Sequence, residues 1–167
     1  INNFELEYRI SESTFVGIKK VLENDKTLSI SSIHNYFPIP HVSIVGGGDI
    51  FLLSSESKEE RLMAVKYTIR SMQIAAELGA QAVVVHLGRV PMEKVRKELF
   101  RLYDNGKVGS PEHKEAMREF NKKRDENKGK TFDMLLMSVE ALIKAAESFG
   151  IKIGIENRYY FSEYPNF

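Results

Sequence analysis

The segment 151–160, IKIGIENRYY, changes abruptly from an apolar strand to ionisable and aromatic side chains. Ile151, Ile153 and Ile155 form the pattern of a strand that requires burial, and Glu156 follows directly. A carboxylate is costly to remove from water unless it has a partner. Either the strand has reached solvent at this point, or it presents Glu156 to a metal ion or a substrate.

Polar side chains follow the other predicted strands in the same way. Two of these strands end at a histidine, and the first strand ends at a glutamate and an arginine. In a parallel α/β sheet, ligands bind beyond the carboxyl ends of the strands, so we expect these side chains to share one face. The set consists of Glu7 and Arg9, His34 with Asn35 and Tyr36, His86 with Arg89, and Glu156 with Asn157 and Arg158.

Two histidines and one carboxylate at equivalent strand ends suit an open metal site. Imidazole and carboxylate ligands fit a divalent ion such as zinc, manganese or iron, with a position left for a substrate. A structural interpretation stays open for each residue. His34 and His86 could be hydrogen-bonded structural residues, and Glu156 could form a salt bridge with Arg158 or with an arginine of a neighbouring strand.

Strands and helices alternate along the chain and must position these side chains. Apolar residues that repeat every three or four positions predict helices between the strands. This alternation predicts an α/β fold with a parallel sheet and right-handed crossovers. The strands are predicted over 4–8, 28–33, 80–88 and 151–155.

The helix ends have clear sequence markers. Ser57 and Glu60 form a capping-box pattern, and Gly79 and Gly150 are typical C-terminal stops. One or two inserted helices are predicted over 91–127, followed by a separate long helix after Thr131. The intervening loops carry less information. The segment VGGGD at 45–49 lacks a following Lys-Ser or Lys-Thr, which predicts a flexible loop rather than a phosphate-binding loop.

The composition excludes several classes of function. The 167 residues carry 24 Lys and Arg against 23 Asp and Glu, so a basic field for nucleic acid or an anionic membrane is missing. Because there is no cysteine, disulfides and thiolate zinc sites are excluded. No apolar run approaches the length of a membrane span and no signal peptide opens the chain, so the cytoplasm is the expected compartment.

The segments VVVHLGR, IGIENRYY, FELEYR and SISSIHNYFP resemble the sugar phosphate isomerase/epimerase family. That family belongs to the xylose isomerase-like barrel superfamily, which also includes the endonuclease IV type of DNA-repair enzyme. The resemblance extends over nearly the whole chain. It implies a parallel (β/α) barrel of TIM type with a divalent metal ion, which could also be magnesium, at the carboxyl ends of the strands.

The resemblance also implies roles for individual residues. Glu156 matches a metal ligand and one of the two carboxylates that transfer a proton next to the carbonyl of a sugar or sugar phosphate. His86 and His34 match two further metal ligands of the endonuclease-like members, whereas in single-metal isomerases the same positions contact the substrate. The remaining strand-end residues are predicted to bind the substrate, namely Glu7, Tyr36, Arg89, Asn157 and Arg158.

The chain departs from the family pattern in its length. The remaining ligands of the family, an Asp, a His and a second Glu, come from later strands, and a complete barrel needs about 250 residues. We therefore expect a single partial barrel domain over 1–167, with a helical insertion at about 90–130, that lacks the full catalytic set. Its open sheet edges predict self-association or a partner that completes the barrel.

Two other functions remain open at the level of the sequence. One is a metal phosphodiesterase of the endonuclease IV kind, against which the near-neutral charge counts. The other is a non-catalytic barrel fragment that acts by association.

Overall fold

The computed structural model describes residues 2–156 and 158–165, without the side chain of Glu93. Within these ranges, one sheet of four parallel strands lies in the order of the sequence. The strands are β1 (Asn3–Leu6), β2 (Ser29–His34), β3 (Ala82–Val85) and β4 (Lys152–Ile155). The helices are α1 (Glu12–Asn24), α2 (Lys58–Glu77), α3 (Glu93–Asp104) and α4 (Pro111–Phe149). The predicted α/β fold with a parallel sheet is confirmed.

The register of the sheet brings three functional candidates to one face. His34, the last residue of β2, pairs with Val84, and Val84 pairs with Gly154. His86 and Glu156 each follow two residues further along their strands. Because residues two apart in a strand point to the same side, these side chains are expected to face together.

The opposite face of the sheet forms the core. Val83 and Val85 of β3 alternate with the site-facing residues and are fully buried, and Ile33 of β2 is buried with them. Helices α2 and α4 pack against each other over this face and supply Met72 and Leu142 to the same core. The burial of this apolar surface is the main force that holds the strand ends in register.

The predicted helix ends agree with the structure. The Oγ of Ser57 accepts a hydrogen bond from the backbone N of Glu60 at 3.3 Å, which caps α2. The carboxylate of Glu60 does not complete the capping box and instead accepts from the backbone N of Leu52 and from Ser55. Gly79 and Gly150 have φ of 73° and 66°, a conformation that glycine adopts without a steric penalty.

The predicted break between the inserted helices and the helix after Thr131 is wrong. The helix α4 runs without interruption for 39 residues, from Pro111 to Phe149. A single glycine such as Gly129 costs a helix only about 1 kcal/mol relative to alanine, so good helix formers on both sides can offset it. The Oγ of Thr131 lies 2.8 Å from the hydroxyl of Tyr164, which anchors the middle of α4 to the end of the described chain.

Both outer strands leave apolar side chains exposed. Phe4 lies on β1, Val21 lies on α1 beside it, and both line an open apolar groove. Ile155 of β4 is 56% exposed, although its strand pattern predicts burial. None of the helices in the described ranges is long and apolar enough to cross a membrane.

The core position of Leu142 predicts a large effect on stability. Leu142 is 1% exposed, so Leu142→Ala should leave a cavity and reduce the free energy of unfolding by about 2–5 kcal/mol. Leu136 lies on the same helix and is 45% exposed, so Leu136→Ala is the matched control and should change the stability little. Urea unfolding followed by circular dichroism measures both, and an equal loss in both variants would contradict this packing.

Candidate metal centre

Three of the predicted ligands converge on one point, and we call His34, His86 and Glu156 the strand-end cluster. The Nε2 atoms of His34 and His86 lie 2.7 Å and 3.1 Å from the Oε2 atom of Glu156. One potential ligand atom of each residue lies within 4.8 Å of the others, a spacing that suits a shared metal ion. Residues from three strands thus meet, as the sheet register requires.

The members of the cluster differ in their exposure to solvent. The side chains of His34 and His86 are only 10% and 2% exposed, whereas Glu156 is 39% exposed. The ring of Tyr8 covers the histidines, with its centroid 4.9 Å from that of His34 and 6.4 Å from that of His86. The carboxylate is therefore the member of the cluster that a small molecule can reach.

The other ring nitrogens of the histidines are already engaged. The Nδ1 of His34 donates to the backbone carbonyl of Asn35 at 3.0 Å, and the Nδ1 of His86 donates to Asp49 at 2.8 Å. Because these partners only accept hydrogen bonds, they favour the tautomers with a proton on Nδ1, although the Nη1 of Arg158, which only donates, also lies 2.7 Å from the Nδ1 of His86. In a neutral ring, each Nε2 then presents a lone pair, and it faces the oxygen of Glu156, which is also an acceptor. A second proton on a ring, or a cation beside the groups, resolves such a contact, and at His86 the guanidinium of Arg158 is one such cation.

At His86, a guanidinium lies beside both ring nitrogens. The Nη1 of Arg158 lies 2.7 Å from Nδ1 and 3.0 Å from Nε2 of His86. This donor can bond to the Nε2 lone pair, so a bound metal ion would replace that contact. A divalent cation held by His34, His86 and Glu156 would let both histidines remain neutral. The donor set of two imidazoles and a carboxylate therefore fits a metal ion such as zinc, manganese or iron.

The two carboxylates of the site are stabilised in their charged form. Burial alone raises the pKa of Glu156, but the close contacts with His34 and His86 outweigh it, and the net pKa is lowered. Burial likewise raises the pKa of Asp49. The hydrogen bond and charge of His86, together with the nearby arginines, outweigh it, and the pKa of Asp49 is also lowered.

Sequence reasoning missed Asp49, which follows the glycine run of a segment that was predicted to be flexible. Two glycines of this run, Gly46 and Gly48, pack closely against the site. A Cβ atom at Gly48 would lie 2.3 Å from the Cε1 of His86, and one at Gly46 would lie 2.2 Å from the backbone oxygen of Tyr8. The run GGGD thus lets the backbone approach Tyr8 and His86 closely. The sequence signal for Asp49 was its position after three glycines in a long loop.

Two predicted substrate contacts lie beside the strand-end cluster. The Nη1 of Arg89 and the Nη2 of Arg158 lie 3.4 Å and 3.5 Å from the Oδ2 of Asp49. The Nε of Arg158 also lies 3.9 Å from the carboxylate of Glu163. Both guanidiniums are therefore held close to the centre by carboxylates.

The other predicted contacts lie elsewhere. Glu7 accepts from the Nε of Arg9 at 2.8 Å and 2.9 Å on the surface. Tyr36 is buried in the core, where its hydroxyl donates to the backbone oxygen of Phe51 at 2.7 Å and burial raises its pKa. The chain leaves the sheet after His34, so the geometry does not support Tyr36 as a substrate contact. Asn157 lies outside the described residues.

Comparisons with known proteins identify the fold. No family model matches the chain, and no curated protein matches its sequence. Among solved structures, a D-tagatose 3-epimerase-like protein matches 98% of the chain with a TM-score of 0.61 and 17% identity. The 3-keto-D-glucoside 4-epimerase YcjR from E. coli, in its apo form, matches 95% with a TM-score of 0.53 and 19% identity.

These likenesses define the class of fold. The chain spans only 47% and 48% of the two matching chains, so it corresponds to about half of each. The predicted fold, a partial parallel (β/α) barrel of TIM type, is confirmed. The low identity establishes the fold alone, and the activity is considered separately below.

The contact between Gly48 and His86 predicts that a methyl group at this position disturbs the centre. Gly48→Ala should displace the ring of His86 and weaken zinc binding by about tenfold or more, as changes around metal ligands do. Gly17→Ala is the control, because an added Cβ there meets no described atom within 4 Å beyond its own helix backbone and chain neighbours. Competition with a chromogenic chelator measures the affinity, and unchanged zinc binding in Gly48→Ala would contradict the close contact.

Proposed function

We propose that the complete protein is a metal-dependent sugar or sugar-phosphate isomerase or epimerase that transfers a proton next to a carbonyl. The convergence of His34, His86 and Glu156 at the carboxyl ends of the strands carries this proposal. The partial barrel supports it, since two proteins of this fold are described as an epimerase and an epimerase-like protein. The cytoplasm remains the predicted compartment.

Residues of the strand-end cluster would bind the metal and transfer the proton. His34, His86 and Glu156 would hold the metal, which supplies a Lewis acid that stabilises negative charge on the substrate oxygen. Glu156 acts as the base that removes the proton next to the carbonyl, because its carboxylate is the accessible member of the cluster. The buried histidines keep water from one side of the site.

Arg89 and Arg158 are the proposed substrate contacts. Their side chains are partly exposed, and both lie beside Asp49 next to the strand-end cluster. The Nε of Arg158 is a buried nitrogen that makes no hydrogen bond to another described residue. A guanidinium in this position suits a hydroxyl or phosphate oxygen of the substrate. Glu7 and Asn157 remain predicted contacts without a described interaction at the cluster.

One observation favours a second candidate, a metal phosphodiesterase of the endonuclease IV kind. The convergence of both His34 and His86 on Glu156 corresponds to the ligand set that the sequence resemblance assigned to those enzymes. The net charge of +1 does not supply the field that DNA binding usually needs. Incision of a duplex with an abasic site by the metal-loaded protein would decide for this candidate.

We also propose that further strands cover both open edges of the sheet. β1 and β4 are the outer strands of the described sheet, and an uncovered edge with apolar neighbours promotes association. The exposed Phe4, Val21 and Ile155 lie at these edges. A second copy of the chain or a completing partner could supply the missing half of the barrel.

Glu156 should be required both for the metal and for proton transfer. Epimerisation needs two proton-transferring groups, but exchange of a substrate proton with solvent needs only one, which this chain contains. The zinc-loaded chain is therefore expected to incorporate deuterium from heavy water next to the carbonyl of a ketose or ketose phosphate. Glu156→Gln should lose this exchange and most of the bound zinc. NMR of the substrate and elemental analysis measure the two effects.

Glu140→Gln is the matched control, because Glu140 is an exposed residue of α4 away from the cluster. Its zinc content and exchange rate should equal those of the unmodified chain. A chain that binds zinc through Glu156 but exchanges no proton with any ketose tested would contradict the isomerase proposal and favour a non-catalytic module.

The groove beside β1 predicts that a charge there reduces self-association. Val21 is 54% exposed in this groove, and Val108 is 58% exposed in the connection between α3 and α4. Val21→Lys should shift the chain towards the monomer, whereas Val108→Lys should not. Size-exclusion chromatography with light scattering measures the mass. An unmodified chain that stays monomeric at high concentration would argue against edge-to-edge association.

A further inference from the structure

We propose that Asp49 is a positioning residue that keeps the proton of His86 on Nδ1 and thereby holds its Nε2 ready to bind a metal. This inference rests on the proposed metal site and adds a residue that contacts neither metal nor substrate. The inference rests on the contacts of the Asp49 carboxylate, because one of its oxygens faces His86 and the other faces Arg89 and Arg158.

The first oxygen of Asp49 faces His86. The Oδ1 atom accepts the proton of Nδ1 at 2.8 Å, and the ring is almost completely buried. The backbone of Gly48 lies against the Cε1 edge of the same ring, so the loop fixes both the position and the orientation of the imidazole. A carboxylate behind a histidine ligand in this manner selects its tautomer and increases its basicity.

The second oxygen of Asp49 faces two positive charges. Arg89 Nη1 and Arg158 Nη2 approach the Oδ2 atom at 3.4 Å and 3.5 Å. Arg158 also places its Nη1 2.7 Å from the Nδ1 and 3.0 Å from the Nε2 of His86, so it can donate to whichever of the two nitrogens lacks the proton. Without the carboxylate, this donor would take the lone pair of Nδ1. The ring proton would then move to Nε2, where it blocks metal binding.

Because the two oxygens of Asp49 have different partners, the isosteric change Asp49→Asn is predicted to weaken metal binding. An amide has one oxygen and one NH₂ group, and the two arginines require the oxygen on their side. The NH₂ group would then face His86 and donate to Nδ1, which stabilises the tautomer with its proton on Nε2. The conservative variant should therefore weaken the site as strongly as Asp49→Ala, although it keeps the shape of the side chain.

The test compares zinc affinity in the whole chain by titration of the metal-free protein against a competing chelator. Asp49→Asn and Asp49→Ala should each bind zinc about 10–100-fold more weakly than the unmodified chain. Asp133→Asn is the matched control, because Asp133 is an exposed residue of α4, and its affinity should be unchanged. Thermal unfolding of the metal-free proteins checks the fold, and if Asp49→Ala does not fold, Asp49→Asn decides.

A spectroscopic readout separates positioning from a merely structural role. In the zinc-saturated unmodified chain, long-range proton–nitrogen NMR should show His86 bound through Nε2 with its proton on Nδ1. In Asp49→Asn, the ring of His86 should carry its proton on Nε2 and be released from zinc. Retained affinity with Nε2 still bound to zinc would overturn the inference.

The outcomes also separate this inference from the proposed function. If the unmodified chain binds no zinc, both the metal site and the role of Asp49 are overturned. If zinc binding depends on Asp49 but no ketose exchanges its proton with solvent, the role of Asp49 is supported and the isomerase proposal alone fails.

Discussion

The contact of two histidine nitrogens with one carboxylate oxygen is the constraint on which this structure depends. His34 and His86 both donate through Nδ1, so in their neutral forms they direct lone pairs at the Oε2 of Glu156. Three acceptors cannot remain so close without a positive charge among them. The guanidinium of Arg158, 3.0 Å from the Nε2 of His86, supplies part of that charge, and ring protons could supply the rest. A divalent cation, as proposed above, would satisfy all the groups together.

The rest of the fold holds this contact together. Parallel pairing sets His34 level with Val84 and Gly154, the penultimate residues of β3 and β4. Because side chains alternate with a period of two residues, His86 and Glu156 then point to the same side as His34. Valines on the other face are buried against the helices, so a shift of register by one residue would expose the core. The apolar packing thereby fixes the positions of the polar groups.

Local sequence patterns predicted the strands and the helix ends, because those features depend on alternation and on capping residues. They also predicted that His34, His86 and Glu156 lie on one face, because each residue stands at the end of a predicted strand. They could not identify Asp49, since its contact with His86 joins positions 37 residues apart and depends on backbone approach at Gly48. They also predicted a helix break near Thr131, whereas its contact with Tyr164 and the flanking helix formers favour continuity. Tyr36 follows a strand in sequence, but core packing decides its direction.

The balance of charge at the centre connects the partial barrel with its proposed chemistry. The centre holds three carboxylates, Asp49, Glu156 and the buried Glu163, and two arginines, Arg89 and Arg158, which leaves one net negative charge when the histidines are neutral. A divalent cation reverses that sign, and an excess positive charge in a partly buried site is costly unless an anion approaches. The carboxylates that the family resemblance assigns to later strands would supply such a charge, as would the negative charge that develops on a substrate oxygen. The same electrostatic demand therefore agrees with both the proposed completion of the barrel and the proposed proton transfer.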